Sequence, residues 1–247
     1  MKKITKILTL LIFAGSAAAQ DTISLQPFEK IIASPHVNVI LEKGDKESIR
    51  IEYNDIPKNK VNVVVRGSKL KIYLDHARIV EKQVRLHREG YSTKEGIYKD
   101  QSITAYVTYK SLKGLEIRGD QELRCNGEIN ADKFKLKAYG ETEIHLASLH
   151  TKKFKASVYG ENQVTIKSGE TDRQVYRLFG ENKINSRGLK SVFTTTRIYG
   201  EGTISVNATD EVHVSVMGEP RINIEGTSIV SKGIVLGKAD IRIDRLH

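Results

Sequence analysis

The chain holds one cysteine, Cys125, in 247 residues. A lone thiol closes no intramolecular disulfide, so packing and hydrogen bonds must supply the stability. Cys125 is also far from any export-cleavage point, which argues against a lipid anchor built on cysteine. No apolar run approaches the roughly 20 residues that a membrane-spanning helix needs. No nucleic-acid reading motif is present. Neither is an oxygen-rich calcium loop. The seven histidines include no convincing metal-ligand spacing. The sequence therefore suggests no cofactor, no metal and no catalytic residue.

Charge is plentiful but interspersed. The formal net charge is +10, and removing Lys2, Lys3 and Lys6 from the 40 basic residues leaves 37 against 30 acidic ones, or +7. Those three lysines precede a short apolar run at residues 7–14 and Ala17-Ala18-Ala19, the pattern of a secretory signal over residues 1–19. The expectation is an exported protein of the periplasm or cell surface, with no transmembrane segment after cleavage. The basic balance favours anionic glycans or membrane surfaces, although a mixed charged surface also serves solubility.

Seven segments align on glycine: "IRGDQEL", "AYGETEI", "VYGENQV", "LFGENKI", "IYGEGTI", "VMGEPRI" and "VLGKADI". The glycines are Gly119, Gly140, Gly160, Gly180, Gly200, Gly218 and Gly237, giving steps of 21, 20, 20, 20, 18 and 19 residues. Such a period marks a solenoid, in which each unit buries its apolar side by stacking on its neighbours. Alternation inside the unit selects strands over helices. Ala138, Val158, Leu178, Ile198, Val216 and Val235 precede the glycines by two positions. Ile144, Val164, Ile184, Ile204, Ile222 and Ile241 follow by four, and Leu146, Ile166, Ser186, Val206, Ile224 and Ile243 by six. All are expected to point inward. At roughly 3.3 Å per residue, twenty residues make a perimeter near 65 Å, enough for three short faces. The expected fold is all-β, a right-handed parallel β-helix with glycine at a corner that demands φ > 0.

The first half is strand-rich as well, at residues 37–41, 48–53, 61–65 and 70–74. These are expected to form opening coils or a cap. Residues 75–100 are basic and aperiodic and suggest an excursion, with a hairpin as one form. The expected division is residues 20–110 for N-terminal strands, cap and excursion and 111–247 for the repeats, within one domain.

"FEKIIASPHVNVILEKGD" (residues 28–45), "GSKLKIYL" (67–74) and "LKGLEIRGD" (112–120) resemble the family described as "putative auto-transporter adhesin, head GIN domain". The resemblance covers nearly all of residues 20–247. It implies an exported β-helix and surface adhesion, and it supplies no catalytic residues.

Two ladders could carry function. The residue before each corner glycine should face outward, placing Tyr139, Tyr159, Phe179, Tyr199, Met217 and Leu236 in one column. Lys137, Ser157, Arg177 and Arg197 lie two positions earlier on the same face, with Lys135 and Lys155 beyond. Tyr139, Tyr159, Phe179, Tyr199, Lys137, Arg177 and Arg197 are the candidate binding residues. Three readings stand: stacking that merely stabilises the strands, a homo-oligomer contact, or a face for an anionic polysaccharide or a cell-surface protein. The second ladder is Asp120, Glu141, Glu161, Glu181, Glu201 and Glu219. Paired carboxylates at rung spacing resemble those of a retaining glycosidase, yet a catalytic pair is singular and this column repeats. The leading expectation is a non-enzymatic binding or adhesion module. The alternatives are a polysaccharide-processing β-helix enzyme and a homo-oligomeric envelope protein.

Overall fold

Alternating apolar residues become a closed interior only if successive coils lie in register, and they do. The computed structural model describes residues 22–88 and 91–244; the expected signal segment lies outside the described residues. The N-terminal section contains β1 (Ile23–Ser24), β2 (Lys30–Ala33), β3 (Val37–Lys43), β4 (Ser48–Glu52), β5 (Val61–Arg66), β6 (Lys69–Leu74), β7 (Gln83–Arg88), β8 (Tyr91–Gly96) and β9 (Ile103–Tyr109). The repeats run through β10 (Gly114–Gly119), β11 (Glu122–Gly140), β12 (Glu143–Gly160), β13 (Gln163–Ile166), β14 (Gly169–Met217), β15 (Arg221–Glu225), β16 (Ile229–Leu236) and β17 (Asp240–Asp244).

Among the described residues every pairing within β10–β17 is parallel, with Gly119 opposite Gly140 and Gly140 opposite Gly160. The result is a β-solenoid of about seven turns with roughly twenty residues per coil. The corner glycines have φ from 93° to 139°. A second constraint reinforces the first: a Cβ on Gly160 would lie 2.2 Å from the carbonyl oxygen of Gly140. Conformation and close approach both exclude a side chain there.

The inward columns fill the interior. Ala138, Val158, Ile144, Ile204 and Ile222 are fully buried. Phe134 and Phe154 stack inside at 6.2 Å. One coil further on, Gln174 replaces phenylalanine in that column, and its side chain accepts from the Tyr176 hydroxyl at 2.8 Å and donates to Ser191 Oγ at 2.9 Å. These buried polar groups are tolerated because Gln174, Tyr176 and Ser191 satisfy one another.

Register fails to bury the last inward residues. Val235 is 37% exposed and Ile243 44%, whereas Val216 and Ile224, one coil earlier, are 1% and 0%. Position in the repeat sets direction, but burial needs another coil on top.

The other end is built differently. β2 and β3 pair in parallel with β10 and β11, as a first coil. β6 and β9 add to them in parallel, and then β5 pairs β6 and β4 pairs β9 antiparallel. This reversal ends the parallel stack. β7 and β8 form a separate antiparallel hairpin inside the excursion.

Candidate functional site

Outward positions on β11, β12 and β14 share one face because their neighbours Phe134, Leu136, Ala138, Ala156, Val158 and Leu178 point into the core. That alternation delivers the aromatic column. Tyr139, Tyr159, Phe179 and Tyr199 stack with centroids 5.1, 4.8 and 4.8 Å apart and planes within 6° of parallel. The spacing matches the distance between paired strands. Near-parallel rings at this distance are offset-stacked, so the inner rings spend both faces on their neighbours. Above Tyr139 stands Arg118, paired with it in register, its guanidinium carbon 5.9 Å from the ring centroid. What the column shows to solvent is ring edge and phenol hydroxyl. Both faces of the Tyr159 and Phe179 rings are turned to neighbouring rings.

The basic columns lie on the same face. Lys137, Ser157 and Arg177 are in register, as are Lys135 and Lys155, and Lys133, Lys153 and Arg173; Arg197 is exposed on the next coil. Among the described residues none of these seven lysines and arginines, nor Arg197, has a carboxylate within 4.0 Å. Lys155 is held below the ordinary lysine range, first by burial and then by Arg177, Lys135, Lys153 and Lys137. Nε of Arg177 is buried and has no hydrogen-bond partner. At the head of this column sits Glu116. Burial pushes its carboxyl up, but hydrogen bonds from Arg118 and Lys30 outweigh that and leave it below the usual range. The one acid of the column is thus already engaged, at 2.5 Å from Arg118 and 3.0 Å from Lys30.

The carboxylate column is solvated. Glu141, Glu161 and Glu181 are exposed and line a groove of about 330 Å³ together with Gln163 and Lys183. Beneath it lies a ladder that sequence reasoning missed. Asn162 Oδ1 accepts from the Thr142 amide at 3.0 Å and hydroxyl at 2.8 Å, while its Nδ2 donates to the Tyr159 carbonyl at 3.0 Å and Asn182 Oδ1 at 3.1 Å. Asn182 repeats the inward turn to the Phe179 carbonyl at 3.1 Å. The signal was the polar residue two positions after each of the first four corner glycines, Gln121, Thr142, Asn162 and Asn182, which reads as an ordinary turn residue until the next coil is placed beside it.

Glu122, Glu143 and His145 are the described residues whose ligand atoms come close enough to hold a cation, all within 4.8 Å. Arg124 already pairs with Glu122, and His145 Nε2 lies 2.8 Å from Glu143. That set was not expected from spacing, because Glu122 joins from the preceding coil. Cys125 is buried beside the Tyr109 hydroxyl at 3.3 Å, and burial pushes its thiol up. It is a core thiol.

Three solved structures share the architecture. One, from Bacteroides fragilis and described as "a putative adhesin", is 18% identical with a TM-score of 0.70, covering 92% of this chain and 95% of that one. A second "putative adhesin", from Parabacteroides merdae, is 16% identical with a TM-score of 0.65 over 91% and 95%. A "putative lipid binding protein" from Parabacteroides distasonis is 15% identical with a TM-score of 0.55 over 92% and 96%. At these identities the likeness concerns fold. No protein of curated function matches. The profile of the family described as "putative auto-transporter adhesin, head GIN domain" matches residues 27–228, and the chain belongs to that family.

Proposed function

We propose that this protein is a non-enzymatic binding module that holds an anionic polysaccharide on the face carrying Lys135, Lys137, Lys155, Arg177 and Arg197. The single observation that carries this reading is the absence of a neighbouring carboxylate for any of these cations among the described residues. Like charges on side chains anchored one rung apart repel, by up to about 0.9 kcal/mol at the dielectric constant of water if they stay at the strand spacing of about 4.8 Å. A bare basic face is thus a standing cost that a polyanion removes. Sulfate or carboxylate groups would pair with the Arg177 and Arg197 guanidinium groups. Export and display at the cell surface belong to the proposal, supported by the signal-like residues 1–19 and by membership of an adhesin-described family. The aromatic column acts here as a rigid spine beside the charges.

The test is binding of residues 20–247 to neutral, uronate-bearing and sulfated polysaccharides and to anionic lipid vesicles, each at two salt concentrations. Salt-sensitive binding to the charged polysaccharides, lost in Arg177→Ala and retained in Phe179→Leu, is expected. Binding to vesicles alone, or turnover of any polysaccharide, would overturn the proposal.

A further inference from the structure

Among the described residues the final coil has no coil stacked on it. β17 pairs β15 in parallel, and among the described residues nothing pairs its other edge. Ile243 on β17 and Val235 on β16 occupy inward positions yet are 44% and 37% exposed, and Ile229, Ile234 and Leu236 on β16 reach 69%, 64% and 57%. An unpaired edge beside exposed core residues is a docking surface. The opposite end finishes in antiparallel strands, so it does not offer the matching parallel edge that head-to-tail stacking requires.

We infer that the open end docks on a second copy of the same chain through antiparallel pairing of β17 with the partner's β17 about a two-fold axis. The charge pattern of residues 238–244, Lys-Ala-Asp-Ile-Arg-Ile-Asp, selects the register. Antiparallel pairing that keeps inward residues inward allows registers two residues apart. With Ile241 opposite the partner's Ile241, Asp240 faces the partner's Arg242, Lys238 faces the partner's Asp244, and Ala239 faces the partner's Ile243. All opposed charges are of opposite sign. Centring on Arg242 instead sets Arg242 against the partner's Arg242 and Asp240 against the partner's Asp244. Centring on Asp240 sets Asp240 against the partner's Asp240 and Lys238 against the partner's Arg242. Both put like charges directly opposite, which is destabilising. Of the three registers centred within residues 240–242 only the one centred on Ile241 is complementary. Centring on Ile243 or Ala239 also opposes unlike charges but leaves most of residues 238–244 unpaired with the same segment of the partner. An isologous contact of this kind closes after two copies. The pairing supplies backbone hydrogen bonds along the edge and covers Val235, Ile241 and Ile243. The pairing is made by β17, which carries none of Lys135, Lys137, Lys155, Arg177 and Arg197, so neither proposal depends on the other.

The test combines mass with register. Light scattering on residues 20–247 between about 1 and about 100 µM should show conversion from monomer to dimer. In Ile241→Cys the two introduced thiols face each other with Cα atoms about 4.5–5.5 Å apart, within disulfide range. Mild oxidation should therefore cross-link this variant, while Ile243→Cys, facing the partner's Ala239, should not. Cys125, only 2% exposed, leaves the background clean. Arg242→Asp should abolish the dimer, and Asp240→Arg combined with Arg242→Asp should restore it. A monomer at the highest concentration without an Ile241→Cys cross-link overturns the inference, as does equal cross-linking through Ile243→Cys.

Discussion

Arg118 occupies the rung above Tyr139, its guanidinium carbon 5.9 Å from the ring centroid. The aromatic column is thus closed at its head by a cation, just as its inner members are closed by one another. Phe179, like Tyr159, has a ring on either side, here Tyr159 and Tyr199, each at 4.8 Å. Phe179→Ala should lower stability by about 1–3 kcal/mol, since each stacked pair contributes roughly 0.5–1.5 kcal/mol beyond buried area. Denaturant titration measures this loss. Affinity for sulfated polysaccharide should hold within about twofold, because the ring offers its faces to neighbours and not to a ligand.

Asn162→Ala removes the shared rung of the asparagine ladder. The Thr142 amide and the Tyr159 carbonyl lose their partner inside the corner. Leaving buried polar groups unsatisfied costs about 1–3 kcal/mol each, so a loss of roughly 2–6 kcal/mol is expected. Asn162→Asp should be worse near neutral pH, because a carboxylate cannot donate to Tyr159 and meets Asn182 Oδ1 instead. Thermal melts of the two variants, compared at neutral pH, decide the order.

Gly160→Ala meets the Gly140 carbonyl oxygen at 2.2 Å from a position with φ of 108°. Strain and overpacking together should cost about 3 kcal/mol or more. Gly67, with φ of 54° and open space around it, is the control. Gly67→Asn should cost far less, since asparagine tolerates the left-handed region. Chemical denaturation of both variants tests the contrast.

Lys155→Met should strengthen the free protein and weaken polyanion binding. Burial and then the Arg177, Lys135, Lys153 and Lys137 charges hold the Lys155 pKa below its ordinary 10.5. Below the folded-state pKa the amine is charged in both states, and the folded protein bears the full cost. As pH rises through that depressed pKa toward 10.5, the folded state sheds the proton first and the cost is relieved. The variant's stability advantage is therefore largest at neutral pH and shrinks on the alkaline side. Melting curves across pH test the sign, and a loss of about fivefold in affinity at low salt, the scale of one exposed charge pair, tests the binding half.

Much of the architecture was legible because the solenoid states its rule once per coil. Gly140, Gly160 and Gly180 repeat a local steric demand, and Ile144, Val164 and Ile184 repeat an inward one. Each needs only its own segment to be read. The asparagine ladder needed two coils at once: Asn162 and Asn182 meet only after twenty residues have been wound. Ring orientation was hidden for a related reason. Alternation gives the side on which Tyr159 emerges, but its tilt is decided by Tyr139 and Phe179. The cap was harder still, since β4 pairs with β9 across about fifty residues and reverses direction, a choice that strand propensity does not encode. Val235 and Ile243 show the limit of periodicity at a boundary.

The glycine corner fixes more than a bend. Each corner glycine rests on the carbonyl of the one before it, so a coil cannot gain or lose a residue there without breaking the contact. Irregular lengths are absorbed elsewhere: the 21-residue step from Gly119 to Gly140 places its extra residue between Cys125 and Glu128, and the 19-residue step from Gly218 to Gly237 places its extra residue between Lys232 and Val235, opposite Val214 and Val216 of the 18-residue step before it. Lengthening at the corner is therefore quantised. A viable duplication or deletion carries a complete coil, moving the end of the molecule by one strand spacing of about 4.8 Å and extending the basic face by one row of charges.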